Sequence, residues 1–397
     1  MMALSSAVTR LRKIIGPTPA APLGGADEPL ALSPSHAPLG TLYRAKLWQQ
    51  GQQVLLQQFS NQRLWLQPTS AAPALRRGQT FTLALHCDPF GACRVRVRVL
   101  QPSAQEGAPL VAGMIRPSRR ALTVLSQLAL AYGNSKGHQL TPLALRHRQF
   151  GPIDASPCIR FSHVQKAPQM AEVKKLRYEV FAESDLLKPE QQTPDDTVDD
   201  RDARSYIILG HFRHKLVATC RAYKMGPDDS YEFDAWAPDN NALPPKDQCV
   251  ELGRAAIAAP FRNAGIPLTL FRMLTAYTMQ SGRRYMVLAT APSLVAFYRC
   301  FGFETTSIAF PYPGNAHCLS PVLVADLHAL WRGKKGNPLI WYALFGSLDD
   351  DCAQGFYAPT NARQKLRLGM LRRLGPVSRT VRQWLMLMRR LRRAKGR

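Results

Sequence analysis

The sequence lacks the features that would place it at once in several broad protein classes. No run of about 18 apolar residues occurs and the mean hydropathy is −0.19, so no transmembrane helix is expected. No two cysteines form a C-x-x-C pair and none has a histidine at zinc-ligand spacing, so neither a disulfide framework nor a zinc site is expected. The eight cysteines lie at positions 87, 93, 158, 220, 249, 300, 318 and 352. This scatter is typical of reduced thiols in a cytoplasmic protein, and no metal or tightly bound cofactor is expected.

Acidic residues are also scarce, since 27 Asp and Glu stand against 52 Lys and Arg and give a net charge of +25. A chain this basic attracts anionic partners. Thirteen of the basic residues lie in residues 363–397, which contain no Asp or Glu. From Val377 onwards apolar residues recur at helical spacing opposite arginines, so this tail is predicted to be a basic amphipathic helix.

The tail composition favours an anionic membrane surface as its partner, and we expect a cytoplasmic protein peripherally associated with the inner face of the membrane. A helix that docks on the protein's own core is the alternative. Nucleic acid is not expected as a partner, because base-stacking aromatic residues are nearly absent from the tail.

The N-terminal third is predicted to contain a tail and a β-rich module. Residues 1–40 combine a short basic segment with many prolines and glycines, a composition that predicts a disordered tail. Turn signals then separate short β-forming runs, which are 42–48, 53–59, 64–67, 80–86, 94–100 and 111–115. Residues 94–99 alternate strictly between Arg and Val, as a half-buried antiparallel strand does. The pattern over 41–132 predicts a small antiparallel β-barrel closed by a helix over 121–132.

In layout this module is similar to a PilZ domain, a barrel that binds cyclic dinucleotides. A PilZ site requires an Arg pair before the barrel and a D-x-S-x-x-G stretch after the first strand. The corresponding residues 58–63 keep only Ser60, so the module is interpreted as a degenerate, PilZ-like barrel, structural or partner-binding, and nucleotide binding is not predicted. The Gly- and Pro-containing residues 133–158 are predicted to be a linker.

A mixed α/β pattern over residues 159–330 holds the residues best suited to chemistry, and an aromatic extension over 331–362 is predicted to pack on it. The pattern opens with an L-R-x-x-V-F sequence that places Arg177 and Phe181 on one helical face. The motifs that follow are D-x-x-D (Asp199, Asp202), an Arg at the end of an apolar strand (Arg221), E-x-x-R (Glu251, Arg254), an R-x-x-G turn before a helix (Arg262, Gly265), a buried strand over 285–290, and F-Y-x-x-x-G-F around Tyr298.

In this order the motifs resemble the GNAT superfamily of acyltransferases. The upstream motifs are more narrowly similar to the acyl-homoserine lactone synthases and the N-acyl amino acid synthases. The resemblance implies a GNAT-type α/β fold in which the thioester arm of the acyl donor lies between strands 249–257 and 285–290, which splay apart.

The resemblance also implies an acyltransferase that joins an acyl thioester to an amine. Because the amine is protonated at neutral pH, Glu251 would accept or relay its proton, or hold the ammonium. Asp199 and Asp202 would form an acidic wall for the amine. Arg221 and Arg254 would hold the acceptor carboxylate, or would pair with those acids to fix the cleft.

Further contacts are implied by the same resemblance. Arg177 and Phe181 would belong to the substrate-binding site, and Arg262 and Gly265 would contact the donor. Tyr298 resembles the residue that protonates the leaving thiolate in many GNAT enzymes, and backbone N–H groups of the strands would receive the oxyanion.

The sequence also allows simpler interpretations of these residues. Residues 195–202 would also suit a solvated acidic loop, and Glu251 with Arg254 a structural ion pair. Arg177 would also suit surface charge, and Tyr298 the core.

Two departures from the families bear on the substrates. The phosphate-cradling turn of GNAT proteins has Gly or Ala where this chain has Pro267, which offers no N–H to a pyrophosphate. Acyl carrier protein, whose arm has a single phosphate and which is acidic, is therefore preferred over coenzyme A as the predicted donor. The lactone synthases have Trp where this chain has Leu187, which argues against S-adenosylmethionine and for an ordinary amino acid as acceptor.

The predicted function is transfer of a long acyl chain from acyl carrier protein to an amino acid amine. Two alternatives stay open: an acyl-homoserine lactone synthase, and a non-catalytic scaffold or regulator built from decayed PilZ-like and GNAT-like domains.

Overall fold

The fold consists of two β-sheets with helices, as seen in a computed structural model. It describes residues 29–32, 36–44, 47–69, 75–103, 108–135, 138–151, 153–184, 186–187, 191–238, 241–312, 315–333 and 338–346, with several positions in 362–370. Most of the predicted N-terminal tail and the predicted amphipathic helix from Val377 lie outside these residues. None of the described helices is long and apolar enough to cross a bilayer.

The first sheet contains a closed, six-stranded antiparallel barrel. Its strands are β2 (Leu39–Arg44), β3 (Leu47–Phe59), β4 (Arg63–Pro68), β5 (Thr80–Cys87), β6 (Gly91–Gln101) and β7 (Leu110–Met114). They pair in the order β2-β5-β6-β7-β4-β3, and β3 pairs back onto β2. In β6 the valines are buried and the arginines are exposed, as the alternation predicts. The small antiparallel barrel expected from the sequence is therefore observed.

One of the predicted strands of the barrel has the wrong bounds. The sequence predicts a single strand over residues 42–48, but β2 ends at Arg44 and β3 begins at Leu47. The two strands pair as a hairpin, with Arg44 opposite Leu47. Apolar residues stand on both sides of this turn and it contains no Gly, Pro, Asn or Asp, so the sequence pattern does not reveal it.

The segment between the two sheets is more ordered than a linker. Helix α1 (Arg119–Tyr132) packs on β6 and begins after Ser118, whose side chain accepts from Ala121 N. Strands β8 (Gly133–Ser135) and β9 (His138–Gln139) extend the first sheet through β1 (Leu30–Leu32), and α2 (Pro142–His147) follows. Leu140, Leu145, Phe150 and Ile153 are buried in a hydrophobic core that is continuous between the barrel and the second sheet. The linker predicted over 133–158 and the tail predicted to reach residue 40 thus contain packed elements.

The second sheet has seven strands in the order β10-β11-β12-β13-β14-β16-β15. These are β10 (Ile159–His163), β11 (Tyr206–Phe212), β12 (Lys215–Lys224), β13 (Cys249–Ile257), β14 (Tyr285–Ala289), β15 (Glu304–Tyr312) and β16 (Asn315–Asp326). The helices are α3 (Ala167–Ala182), α4 (Ile266–Gln280), α5 (Val295–Arg299), α6 (Leu327–Trp331) and α7 (Pro338–Phe345). Helix α7 packs on α4, and its Trp341 and Phe345 are buried against Trp331.

The only parallel pair among the described strands of this sheet is β13 with β14, joined through α4. The paired residues are Cys249 with Tyr285, Val250 with Met286 and Glu251 with Val287. Pairing ends there, although β13 continues to Ile257 and β14 to Ala289. The gap between the two strands beyond Glu251 is called the cleft below.

Candidate active site

The cleft connects two faces of the second sheet that carry different chemistry. Successive side chains of a strand point to opposite faces. On β13, Val250 and Leu252 pack in the main core beneath α4, whereas Cys249 lies in a second cluster on the opposite face, the face of Glu251. Because paired strands separate these faces elsewhere, the cleft is the place where one molecule can touch both.

A β-bulge brings both ends of the E-x-x-R motif to the same face. In a regular strand, residues three positions apart point in opposite directions. Here Arg221 of β12 is opposite Gly253, while Thr219 is opposite Ala256, so β13 holds one extra residue. Arg254 lies in that bulge with a φ of +51°. Its side chain thereby joins the carboxylates that surround Glu251.

Four arginines and four carboxylates form a continuous network on this face. The members are Arg177, Arg201, Arg221, Arg254, Asp199, Asp202, Glu232 and Glu251. Its charges balance, which is how buried ionised groups are tolerated.

Arg177 and Asp202 form the buried end of the network. The guanidinium donates to both carboxylate oxygens at 2.9 Å and to Thr197 O at 3.3 Å. Arg177 is 0% exposed, because α3 turns it to the same side as the buried Val173 and Phe181. The surface-charge interpretation of Arg177 is therefore wrong. Phe181 itself packs in an apolar cluster of α3, β11 and β12.

Arg221 holds the middle of the network together. It donates to Asp199 Oδ1 at 2.6 Å and to Glu232 Oε2 at 2.7 Å. Arg254 Nη2 lies 2.6 Å from Glu232 Oε1 and 3.2 Å from Asp199 Oδ2. Burial alone would raise the pKa of Asp199, but Arg221, Arg254 and then Arg201 hold it at about 2. The D-x-x-D sequence is thus part of an ordered network and not a solvated loop.

Glu251 lies where β13 and β14 part, and its partner is Arg201. Arg201 Nη1 donates to Glu251 Oε2 at 2.8 Å, and Glu232 N donates to Oε1 at 2.8 Å. The expected ion pair of Glu251 with Arg254 is not formed, because the bulge directs Arg254 to Asp199 and Glu232. Burial raises the pKa of Glu251 to about 7, against the lowering effect of Arg201. A carboxyl with such a pKa exchanges protons readily near neutral pH.

Two members of the network, Arg201 and Glu232, are not indicated by the sequence motifs. Arg201 lies inside the D-x-x-D sequence, where it reads as one basic residue in an acidic loop. Glu232 lies in the connection between β12 and β13, far from any motif. Only the folded arrangement assigns them to the site.

Tyr298 borders the cleft from the opposite face. Its ring packs edge-on against Phe271 of α4 at 5.8 Å between centroids. Its hydroxyl group lies near Thr290, which follows β14, and near Cys220 of β12. Burial, followed by the Cys220 thiol, raises the pKa of Tyr298 to about 12, so the phenol is protonated at neutral pH. Tyr298 therefore packs in the core, as one interpretation of the sequence has it, and also lies beside the cleft.

The R-x-x-G turn leads from β13 into α4. Arg262 donates from Nε to Ile257 O at 3.2 Å and from Nη2 to Glu183 at 3.0 Å. Gly265 has a φ of +80°, which glycine adopts without strain, and α4 begins at the next residue. Among the described residues, no group of three or more His, Cys, Asp or Glu is placed to hold a metal ion.

Residues 172–321 match the family model of the N-acyl amino acid synthase FeeM. The predicted resemblance is confirmed for this region. The region is a GNAT-like acyltransferase domain, and every network residue as well as Tyr298 lies inside the match. The chain is therefore an acyltransferase.

Solved structures with similar folds were also found. FeeM from uncultured soil microbes is 13% identical with a TM-score of 0.36, over 45% of this chain and 94% of that chain. The acyl-homoserine lactone synthase LasI is 18% identical with a TM-score of 0.36, over 47% and 94%. ElaA of Escherichia coli is 19% identical with a TM-score of 0.32, over 42% and 99%. No curated protein matches the chain.

Proposed function

We propose that the protein transfers a long acyl chain from acyl carrier protein to the amine of an amino acid and releases an N-acyl amino acid. The observation that carries the proposal is the position of Glu251. It is buried at the point where β13 and β14 part, with the network on its own face and Tyr298 across the cleft. A nucleophile on one face can there meet a thioester that enters between the strands.

The proposed reaction uses the residues on the two faces in sequence. Glu251 takes a proton from the acceptor ammonium, and the free amine attacks the thioester carbonyl carbon in the cleft. Backbone N–H groups of β13 that β14 leaves unpaired receive the oxyanion. When the C–N bond has formed, the C–S bond breaks and Tyr298 gives its proton to the leaving thiolate. The attacking nitrogen, which is positively charged once the C–N bond has formed, loses its second proton, and this proton passes through water to the Tyr298 phenolate. Glu251 releases the first proton to the solvent.

The acceptor would bind to the exposed side of the network. Asp199 and Glu232 are each 31% exposed and suit its ammonium group. Arg201 and Arg254 are 18% and 12% exposed and suit its carboxylate. Arg221 is only 1% exposed and has three carboxylate partners, Asp199, Asp202 and Glu232, so we assign it to positioning these acids.

The experiment is product analysis with the purified full-length protein. Acyl carrier protein charged with a long acyl chain is offered with a mixture of amino acids, with S-adenosylmethionine, or with neither, and products are identified by mass spectrometry. A Glu251→Gln preparation controls for contaminating transferases. We expect N-acyl amino acids in the first reaction. An acyl-homoserine lactone in the second would instead support the lactone synthase alternative, and no acylated product in any reaction would support a non-catalytic role.

We also propose that the basic tail holds the enzyme on anionic membrane at the cytoplasmic face, where a lipid-like product would be released. The support is the amphipathic pattern and the thirteen basic residues of 363–397. Co-sedimentation with vesicles of anionic and of neutral lipid, with and without residues 371–397, tests it. Equal pelleting of both proteins would contradict this placement.

A further inference from the structure

The segment between the barrel and the second sheet lies directly on the turn before α4. Ala155 N donates to Ala264 O at 2.8 Å. Arg146 Nη1 of α2 donates to Arg262 O at 2.8 Å. These bonds join the segment to the turn at two points, so the contact is a fixed part of the fold.

The side chain of Asp154 fills the space in front of Gly265. A methyl group placed on Gly265 would collide with Asp154 Oδ1 and would lie 3.0 Å from Cγ. Ser156 N donates to Oδ1 at 3.1 Å, and Gln127 Nε2 of α1 donates to Asp154 O at 3.1 Å. Both the backbone and the carboxylate of Asp154 are therefore held beside the turn.

A carboxylate at this place changes what the start of α4 can bind. The first turn of a helix offers backbone N–H groups and a positive dipole end, which attract phosphate groups. Here Pro267 supplies no N–H, Leu268 N donates to Gly265 O at 3.2 Å, and Asp154 adds negative charge. A pyrophosphate at this turn would meet a fixed carboxylate and few free donors.

We propose that Asp154 is a specificity-determining residue that excludes acyl donors carrying a pyrophosphate, such as acyl-coenzyme A, from the cleft. The inference rests on the proposed function, because it names the donors of that reaction. A donor on 4′-phosphopantetheine has one phosphate and no pyrophosphate, so it does not require the space at Gly265. The segment between the barrel and the second sheet thereby selects the donor, although its Asp154 does not touch the reacting atoms.

The test compares Asp154→Asn, which removes the charge and keeps the shape, with Asp154→Glu, which keeps the charge. Asp88→Asn, an exposed residue of the barrel, is the control for lost charge. Binding of coenzyme A and of 4′-phosphopantetheine to the full chain is measured by calorimetry. We expect Asp154→Asn to bind coenzyme A about tenfold more tightly, equivalent to about 1.4 kcal/mol. Asp154→Glu and Asp88→Asn should stay near wild type, and phosphopantetheine affinity should not change.

Turnover supplies the second readout. The ratio of kcat/KM for acyl-coenzyme A to kcat/KM for acyl carrier protein should rise about tenfold in Asp154→Asn, by the same differential binding. Unchanged affinity for coenzyme A, or an equal gain for phosphopantetheine, would overturn the inference. If no donor is turned over by any variant but coenzyme A still binds Asp154→Asn more tightly, the proposed reaction is wrong while the role of Asp154 stands.

Discussion

The two sheets of this protein differ in whether they close and in which side chains they bury. The barrel closes on itself, β3 back onto β2, and its interior is lined by aliphatic residues such as Leu56, Leu83 and Val97. The second sheet remains open, contains a cleft between β13 and β14, and buries charged side chains on one face. A closed sheet removes unpaired backbone groups and with them any route through the sheet. The cleft therefore marks the part of the chain where a substrate can reach both faces.

The contrast also shows where stability depends on single residues. In the barrel, each side chain contributes through the apolar area that it buries, and its neighbours close only part of the cavity left when it is truncated. In the network, each charge depends on a specific partner, because an unpaired buried charge is costly. Substitutions in the two regions should thus differ in kind: a truncated side chain in the barrel leaves a cavity, whereas one in the network leaves an unpaired charge.

The largest effect on stability is expected at the buried end of the network. Asp202→Ala leaves Arg177 charged and buried, and should lower the free energy of unfolding by about 3–5 kcal/mol, as measured by urea denaturation. Asp195→Ala removes the exposed partner of Lys174 and should cost at most about 1 kcal/mol. Similar losses for both variants would show that the network is solvated and would remove the contrast with the barrel.

The largest effect on turnover is expected at Glu251. Glu251→Gln keeps the shape and removes the base, so kcat should fall by about 10²–10⁴-fold while the protein stays folded. The kcat/KM of the wild type should rise with pH up to about 7, as Glu251 loses its proton, and Glu251→Asp should keep such a limb. A pH profile without this limb in the wild type would assign the proton transfer to another group.

The same carboxyl should make stability depend on pH. Burial raises the pKa of Glu251 from 4.5 in the unfolded chain to about 7. Between these values the folded protein retains a proton that the unfolded chain has lost, so the free energy of unfolding should decrease as pH rises through this range. Glu251→Gln should flatten that decrease in urea titrations from pH 4.5 to pH 7. An identical slope in both proteins would mean that Glu251 is ionised throughout.

A smaller effect is expected across the cleft. Tyr298→Phe retains the packing on Phe271 and removes the proton donor, so kcat should fall by about 10²-fold, the lower end of general acid catalysis. Tyr277→Phe, which removes a phenol that stacks on Tyr206 away from the cleft, is the control. Equal rates for the two variants would place Tyr298 in the core only.

The smallest effect is expected on the outer face of the barrel. Arg96→Gln in β6 should change the free energy of unfolding by less than about 0.5 kcal/mol and leave turnover unchanged, because the side chain is solvent-exposed. A loss of turnover in this variant would show that the barrel surface takes part in the reaction.

The sequence predicted the parts of the fold that follow a period or an ordered set of motifs. The alternation in β6 and the order of motifs from Arg177 to Tyr298 both correspond to elements of the structure. The connection over 133–158 has neither a hydrophobic period nor a recognisable motif, so the sequence does not predict its structure. Its glycines and prolines suit a linker, yet Leu145 and Phe150 are buried.

The candidate site shows the same limit. The six charged motif residues of α3, the D-x-x-D loop, β12 and β13 could be named in advance, but their pairing could not. The partner of Glu251 depends on the bulge at Arg254, which is set by how β12 and β13 register. Arg201 and Glu232 carry no spacing signal, so only the tertiary structure brings them to the network.

The hydrophobic core that continues from the barrel into the second sheet has a consequence for how the two domains can evolve. A catalytic unit joined to its neighbour by a loose tether can be exchanged by recombination without harm. Here a break near Ile153 would expose apolar surface on both fragments, and Gln127 would no longer hold Asp154 beside Gly265. The barrel and the transferase should therefore have been retained together, and changes in one should be accompanied by compensating changes in the other.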